Sequence, residues 1–395
     1  MRILHVIPSY LPAVRYGGPV LSVHGLCRAL VRAGDEIDVF TTMIDGDRNI
    51  EVESGVRVEM DGVGVHYFAT ATPRRWYYSP AMSAALNTRI ANYDIVHIHA
   101  LFLHPVSAAA HAARRARVPY LISPRGMLVR SLFAQRSKPL KSVWMALLGR
   151  RLLARAAAVH VTSATERDDV GAFNLRLNKV LDIPNGIDGI SADGERIVRD
   201  SKLVLFLGRV TWKKQVDRLV SAMASCPELN LVVIGPDDEG LVPALQHLAR
   251  QLNVEQRVRF LGAMHGEERD EWYLRAGMFV LPSRSENFAN AVLEAMAAGC
   301  PVIVTPQVGL GEVVRDSGCG IVCDGSIEAL SESMRQIADH PDRARKMGSQ
   351  GRQVVNEGFL WSAVAARMRV AYREIIGDIV GIKVGDITGP NPERR

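Results

Sequence analysis

Long hydrophobic runs are missing from this chain. No stretch reaches the roughly 18 consecutive apolar residues that a membrane-spanning helix needs. The opening Met1-Arg2-Ile3-Leu4-His5-Val6-Ile7-Pro8 is too short for the core of a secretion signal and reads as a first strand. Cysteine is scarce. The five residues Cys27, Cys226, Cys300, Cys319 and Cys323 are scattered and odd in number, and Cys319 and Cys323 lack the CxxC spacing of zinc or redox sites. This argues against a disulfide framework and for reduced thiols in a cytoplasmic protein. Aromatic content is only 6%, and no nucleic-acid module is recognisable, so no nucleic acid is expected as partner. Neither a GxGxxG fingerprint nor a Walker loop is present, and no cofactor is expected.

One absence is local. Residues 95–165 contain no Asp or Glu, yet hold 11 Lys and Arg. Among these are Arg114, Arg115, Arg117, Arg130, Arg136, Lys138, Lys141, Arg150, Arg151 and Arg155, interleaved with Leu132, Phe133, Trp144, Met145, Leu147 and Leu148. A basic surface with apolar side chains suits an anionic membrane leaflet, where each charge contributes about 1 kcal/mol. A solvated basic face is the simpler alternative. The excess belongs to the first half: residues 1–190 carry 23 Lys+Arg against 15 Asp+Glu, and the remainder carries 25 against 27.

What is present is ordinary globular material in an α/β order. A chain of 395 residues suffices for two domains with full cores. Apolar runs predict strands at 2–7, 37–41, 95–99, 119–123, 157–161 and 179–183, with helices over 20–33, 105–116 and 140–156 between them. Asp182-Ile183-Pro184-Asn185-Gly186-Ile187-Asp188 breaks the pattern, and residues 189–201 read as a linker. A second series of strands follows at 203–208, 229–235, 258–262, 278–282, 301–305 and 320–323. The expected organisation is a Rossmann-like domain over 1–190, a second over 191–360, a helix over 361–380 that packs back on the first, and a frayed tail over 381–395. Open parallel sheets bind ligands at the carboxyl ends of their strands, so a cleft between two facing domains is the expected site.

The chemistry-bearing residues fall at such ends. Glu286 and Glu294, with seven residues between them, flank the start of a helix predicted over 289–298 and closed by Gly299 and Pro301. Helix-start N–H groups attract an anion, and a carboxylate beside them accepts hydrogen bonds from sugar hydroxyls. Glu294 lies among Val292, Leu293, Ala295, Met296 and Ala297, where a charge needs a partner. Arg209 at a strand end, with Lys214 at a helix start, can clamp a diphosphate; surface charge on a loop is the alternative. Gly17 and Gly18 precede a helix and either admit close ligand approach or make a tight turn. His97 and His99 alternate on a strand beside His104, and no acid stands near to complete a metal site. Asp237-Asp238-Glu239 fits a turn better than a cation site.

Together these features resemble the retaining glycosyltransferases of family 4, which have the GT-B fold, over roughly residues 1–375. The most specific segment is the Glu286-x7-Glu294 motif with its Ala295-Met296-Ala297-Ala298-Gly299-Cys300-Pro301-Val302 continuation. Pro184-Asn185-Gly186-Ile187-Asp188 and the Gly208-Arg209…Lys214 segment support it, and Ser123-Pro124-Arg125-Gly126-Met127-Leu128 resembles a subgroup that builds bacterial surface polysaccharides. The resemblance implies that Glu294 holds the donor ribose and Glu286 the donor sugar. It implies that Asn287, Phe288 and Ala289 approach sugar and phosphate through their backbone. Arg209 and Lys214 would neutralise the diphosphate, Gly17 and Gly18 would close on it, and Asn185 and Gly186 would shape the crossover. Two departures stand out. Arg125 occupies a place where a histidine is common, which points it and His104 toward the acceptor. Ala289 occupies a place where glycine is frequent. The implied partners are a nucleotide-diphosphate sugar and a glycan or polyprenyl-diphosphate-linked saccharide, handled without a metal at the inner face of the plasma membrane. A nucleotide-sugar epimerase, a phosphorylase or a non-catalytic assembly partner would share much of this pattern.

Overall fold

The computed structural model describes residues 1–14, 17–129, 138–189 and 198–380. The chain divides into two compact units, Met1–Gly186 with Trp361–Arg395, and Ile187–Leu360. Arg15, Tyr16, Arg130, Leu132, Phe133, Arg136, the side chain of Lys138, most of the expected linker and the tail 381–395 lie outside the described residues.

The first unit contains β1 (Arg2–Val6), β2 (Glu36–Thr42), the small pair β3 (Ile44–Asp45) and β4 (Arg48–Asn49), β5 (Arg57–Met60), β6 (Val63–Phe68), β7 (Ile95–His99), β8 (Tyr120–Ser123), β9 (Ala158–Val161) and β10 (Val180–Asp182). Eight of them build one sheet in the order β10-β9-β8-β7-β1-β2-β6-β5. All neighbours in it are parallel except β5 and β6. Every residue of β6, β7, β8 and β9 is buried, as a parallel sheet covered on both faces requires. On one face Leu4, Val96 and Ile122 pack with Met82 and Leu86 of the helix Pro80–Arg89 and with Val106 and Ala109 of the helix His104–Ala116. On the other, Ile3, Val39 and Leu121 pack with the helices Gly18–Arg32 and Trp361–Val380. Trp361 fits between Gly25 and Gly186, because a Cβ on either glycine would run into its indole. Arg369 Nε meets the buried Asp35 carboxylate at 2.8 Å, and the same carboxylate takes the Met1 terminus at 3.1 Å.

Sequence reasoning misses β5, β6 and the helix Pro80–Arg89. The helix expected over 140–156 is interrupted: Lys138–Trp144 passes through a π segment, Met145–Gly149, before Arg150–Arg155. Gly149 permits this, since a Cβ there would collide with Trp144 and Met145.

The second unit is a six-stranded parallel sheet of β11 (Asp200–Leu207), β12 (Asn230–Ile234), β13 (Val258–Phe260), β14 (Ala276–Leu281), β15 (Val302–Val304) and β16 (Gly320–Val322), in the order β13-β12-β11-β14-β15-β16. The chain starts in the middle, winds outward through β12 and β13, then returns to wind the other way from β14. The direction reverses between β11 and β14, the place where an open α/β sheet leaves a crevice for ligands. Gly235 lets the loops after β11 and β12 leave side by side, because a Cβ there would run into the Gly208 carbonyl.

Candidate active site

The carboxyl ends of β11 and β14 are tied to each other. Beyond β14, Arg284 N–H donates to the Lys213 carbonyl at 2.8 Å, and Ser283 Oγ donates to the same oxygen at 3.1 Å. The next segment is fixed from its far side: Glu286 N–H donates to the Gln307 carbonyl at 3.0 Å, and Gly309 N–H donates to the Glu286 carbonyl at 2.9 Å. These backbone bonds aim two side chains at one another. The Lys214 ammonium and the Glu286 carboxylate form an ion pair, with side-chain exposures of 16% and 25%. A pair so shielded is stronger than a surface bridge, yet both groups remain reachable.

Arg209 points elsewhere. Its guanidinium is 54% exposed and lies 3.6 Å from Asp238. The neighbouring acids are also engaged. Asp237 accepts from Leu241 N–H at 2.7 Å and Val242 N–H at 2.9 Å, capping the following helix, and Glu239 accepts from Trp212 N–H at 2.9 Å. The acidic run thus serves turn and cap, as a turn reading requires.

After Glu286 the chain enters the helix Asn290–Ala297 through Ala289, which is left-handed at φ 75° and ψ 68°. That conformation is unfavourable for a residue with a Cβ and explains why glycine suits the place. Phe288 is buried against Phe359, with ring centroids 6.4 Å apart, so its side chain anchors the loop. Glu294, one turn into the helix, has found the partners its surroundings demand. Tyr273 O–H donates to Oε2 at 2.8 Å, and Arg269 Nη1 donates to Oε1 at 3.4 Å. Burial raises the Glu294 pKa above the ordinary carboxyl value, while Arg269 and Tyr273 pull it back. Neither partner could be read from the sequence, because both lie on the helix Gly266–Arg275, more than twenty residues away.

The remaining candidates belong to the first unit. Gly17 caps the helix Gly18–Arg32 at φ 72° and ψ −143°, a conformation essentially reserved for glycine, and Pro19 sits in the first turn. His104 starts the helix His104–Ala116. Its Nδ1 accepts from Ser79 N–H at 3.3 Å and its Nε2 meets Ser83 Oγ at 3.3 Å, so both ring nitrogens hold the neighbouring helix Pro80–Arg89. Arg125, two residues beyond β8, donates from Nη1 to Asn185 Oδ1 at 2.6 Å and from Nη2 toward His99 Nδ1 at 3.5 Å. His97 and His99 do share a face, and β1 and β9 add His5 and His160 beside them. The register that pairs His5 with His97 follows from strand order, which the sequence pattern alone does not supply.

Known proteins agree with this architecture. Residues 17–186 match the family model of glycosyl transferase 4-like domains, and residues 191–354 match that of glycosyl transferases group 1. The chain is 29% identical to an uncharacterized glycosyltransferase of Methanocaldococcus jannaschii, over 94% of this chain and 98% of that protein. It is 27% identical to a D-inositol 3-phosphate glycosyltransferase of Streptomyces scabiei, over 96% of this chain and 91% of the relative. Among solved structures, sucrose-phosphate synthase from Thermosynechococcus elongatus superposes with a TM-score of 0.77 at 24% identity, covering 96% of this chain and 100% of its own. With two Rossmann-like sheets, each matched by its own glycosyltransferase domain model, the chain belongs to the GT-B glycosyltransferases of the family 4 type.

Proposed function

We propose that this glycosyltransferase is retaining and metal-independent, and that it moves a hexose-type sugar from a nucleotide-diphosphate sugar to a glycan or polyprenyl-diphosphate-linked saccharide in bacterial polysaccharide biosynthesis. The observation that carries the reading is the Lys214–Glu286 pair at the point where the second sheet reverses direction. An arriving diphosphate offers Lys214 a doubly charged partner in place of one carboxylate. Released from the ammonium, Glu286 can accept hydrogen bonds from the sugar hydroxyls. The pair is thus satisfied before substrate arrives, and substrate exchanges its members rather than meeting bare charges.

The chemistry follows from where charge develops. As the C1–O bond to phosphate breaks, the anomeric carbon becomes cationic and the diphosphate gains negative charge, which Lys214 and the start of the helix Asn290–Ala297 stabilise. The acceptor oxygen bonds to C1 from the face the leaving group occupied. Its proton passes to the departing phosphate oxygen, so no side-chain base is needed. Glu294 receives the ribose hydroxyls, the backbone of Asn287, Phe288 and Ala289 borders the sugar, and Arg209 swings from Asp238 to the diphosphate. Gly17, the cap of the helix Gly18–Arg32, and Gly18, its first residue, leave backbone without a Cβ that a phosphate can approach closely. Asp237 and Glu239 are committed to backbone N–H groups, which supports catalysis without a bound cation.

The helical segment from Lys138 supports peripheral membrane attachment at the cytoplasmic face. Leu140, Val143 and Leu147 are 52%, 53% and 63% exposed and follow helical spacing, with Lys141, Arg150 and Arg151 close by in the chain. No helix among the described residues is long and apolar enough to cross a membrane. The purified protein should sediment with anionic vesicles at low salt, and less so with Leu147→Glu; binding that ignores both salt and the substitution would dismiss this surface.

The transfer reading is tested by initial rates with a nucleotide-sugar panel. Lys214→Ala and Glu286→Ala should each lower turnover at least about 100-fold with the fold intact, and a chelator should leave the rate unaltered. Near-normal turnover in either variant would remove that residue from the site. Conversion of the nucleotide sugar without acceptor would favour an epimerase instead.

A further inference from the structure

Two hydrogen-bonded chains run through the interior of the first unit, and their donor directions can be deduced. In one, the Ile183 carbonyl can only accept, so His160 Nε2–H donates to it at 2.8 Å and His160 Nδ1 is left as an acceptor. His97 Nε2–H donates to that nitrogen at 3.3 Å, and Tyr372 O–H donates to His97 Nδ1 at 2.7 Å. In the other, Arg125 can only donate, so His99 Nδ1 accepts at 3.5 Å, and His99 Nε2–H donates to His5 Nδ1 at 2.9 Å. His5 Nε2–H is then the buried end of the chain, and it has no partner. The ring nitrogens of His5, His97 and His99 gather within 4.8 Å, the spacing of a metal site. Yet every Nδ1 lone pair is already used, and a guanidinium stands beside them. The cluster is therefore built around a positive charge, not for one to be added.

That charge is the unusual feature. Arg125 is only partly exposed, its Nε is buried without a partner, and it makes no ion pair among the described residues. Its two hydrogen-bond partners, Asn185 and His99, are neutral. The nearby carboxylate of Glu166 is committed to Gly126 N–H at 2.6 Å, Thr162 N–H at 2.8 Å and Thr162 Oγ1 at 2.9 Å. The Arg125 backbone is moreover left-handed, at φ 54°. A half-buried cation on a strained backbone, hydrogen-bonded to neutral acceptors and helped by Glu166 only from beyond ion-pair distance, gains from an anion that contacts it directly. Its place beyond the carboxyl end of β8 is where such a sheet receives ligands.

We propose that Arg125 anchors an oxyanion site in the first unit that takes a phosphate group of the acceptor, with Asn185 and His99 as positioning residues that hold the guanidinium without neutralising it. This rests on the transferase reading above. Each Nη of Arg125 carries a second N–H beyond those given to Asn185 and His99, and a planar guanidinium suits phosphate geometry. The proposal also explains why Asn, and not Asp, faces Arg125: a carboxylate there would compete with the ligand.

The test separates stability from binding. Arg125→Met removes the charge at similar volume. It should leave the melting temperature unchanged or higher, yet raise the KM for a polyprenyl-diphosphate-linked saccharide by about 10- to 100-fold, with the nucleotide-sugar KM within about twofold of normal. Asn185→Asp should raise the acceptor KM comparably, although the Arg125 side chain is intact, and Arg125→Lys should recover part of the loss. Inorganic pyrophosphate serves as a direct probe in a Lys214→Ala background, which removes the donor-side ammonium. Its thermal stabilisation should persist there and vanish when Arg125→Met is added. The same saccharide without its diphosphate should be a poor acceptor and indifferent to Arg125→Met, which separates phosphate recognition from sugar recognition. A strongly lowered melting temperature in Arg125→Met, or pyrophosphate stabilisation that survives it, would make Arg125 a structural residue and overturn the proposal. Unimpaired nucleotide binding by Lys214→Ala would count against the donor reading alone.

Discussion

Glu294 is a carboxylate whose burial works against its own charge, and the opposition can be measured. Its pKa is raised because desolvation exceeds the help from Arg269 and Tyr273. The folded state therefore holds this proton to higher pH than the unfolded chain does. Consequently this group makes stability fall as pH rises from its unfolded value of 4.5 to its raised folded value. In the proposed ribose-binding role of Glu294, function has the opposite sign, since only the ionised carboxyl has both oxygens free of hydrogen to receive ribose hydroxyls. Nucleotide affinity should thus begin to weaken, on acidification, at a pH above that of an ordinary glutamate. Tyr273→Phe removes a donor to the ionised form and should move that onset still higher. Glu294→Gln should bind weakly with a flat profile, at equal or greater stability near neutrality. Calorimetric titration of the nucleotide across the acidic range measures all three. A wild-type profile as flat as that of Glu294→Gln would detach this residue from the ribose.

At the scale of elements, the loop from Glu286 into the helix Asn290–Ala297 concentrates strain in one residue. Ala289 adopts a conformation that glycine enters without steric cost, and Ala289→Gly should stabilise the second unit by up to about 1 kcal/mol. Thermal unfolding of the single variant checks the sign; a lower melting temperature would mean that the left-handed turn is not strained. If Ala289 also narrows the sugar pocket, the variant should accept a wider donor set in the same nucleotide-sugar panel. The neighbourhood of this turn was legible in the sequence because strand ends, helix formers and terminators all mark it. Lys214 and Glu286 were legible as well, since each follows a strand and parallel sheets bring such ends together. Other elements were not. The β5–β6 hairpin turns on Asp61-Gly62, with φ of 51° and 81°, a two-residue turn whose Asp-Gly signal is present but flanked by a strand containing Arg57 and Glu59. The helix Pro80–Arg89 has Ser79 as its cap and Pro80 in its first turn, yet only Met82 and Leu86 are buried, too sparse a stripe to show a period. Tyr273, Arg269, His5 and His160 were invisible for a different reason: their roles depend on which strands and helices become neighbours, and local pattern does not contain that information.

For the whole molecule, the histidine chains predict that the two units respond differently to acid. His5 and His160 are pushed down to about 3, and His97 and His99 lie well below the ordinary histidine value, in each case first because burial disfavours the imidazolium. In the unfolded chain all four take protons near 6.5. Between that value and about 3 the unfolded state binds more protons than the folded one, so stability falls as pH falls. A single group acting alone contributes up to about 1.4 kcal/mol per pH unit, and all four act in the same direction. A domain stable by about 5–15 kcal/mol has limited reserve against such a loss. All four histidines sit on strands of the first unit. The first unit should therefore lose its structure at a higher pH than the second as acid is added, so that two acid transitions separate. Hydrogen exchange read peptide by peptide through an acid titration would separate them: protection should vanish first over β1, β7, β8 and β9 and persist over β11 and β14. His160→Gln keeps a donor for the Ile183 carbonyl but removes one titrating ring, and should move the first transition to lower pH with a shallower slope. Simultaneous loss of protection in both sheets, or a transition unmoved by His160→Gln, would show that these rings do not govern acid stability.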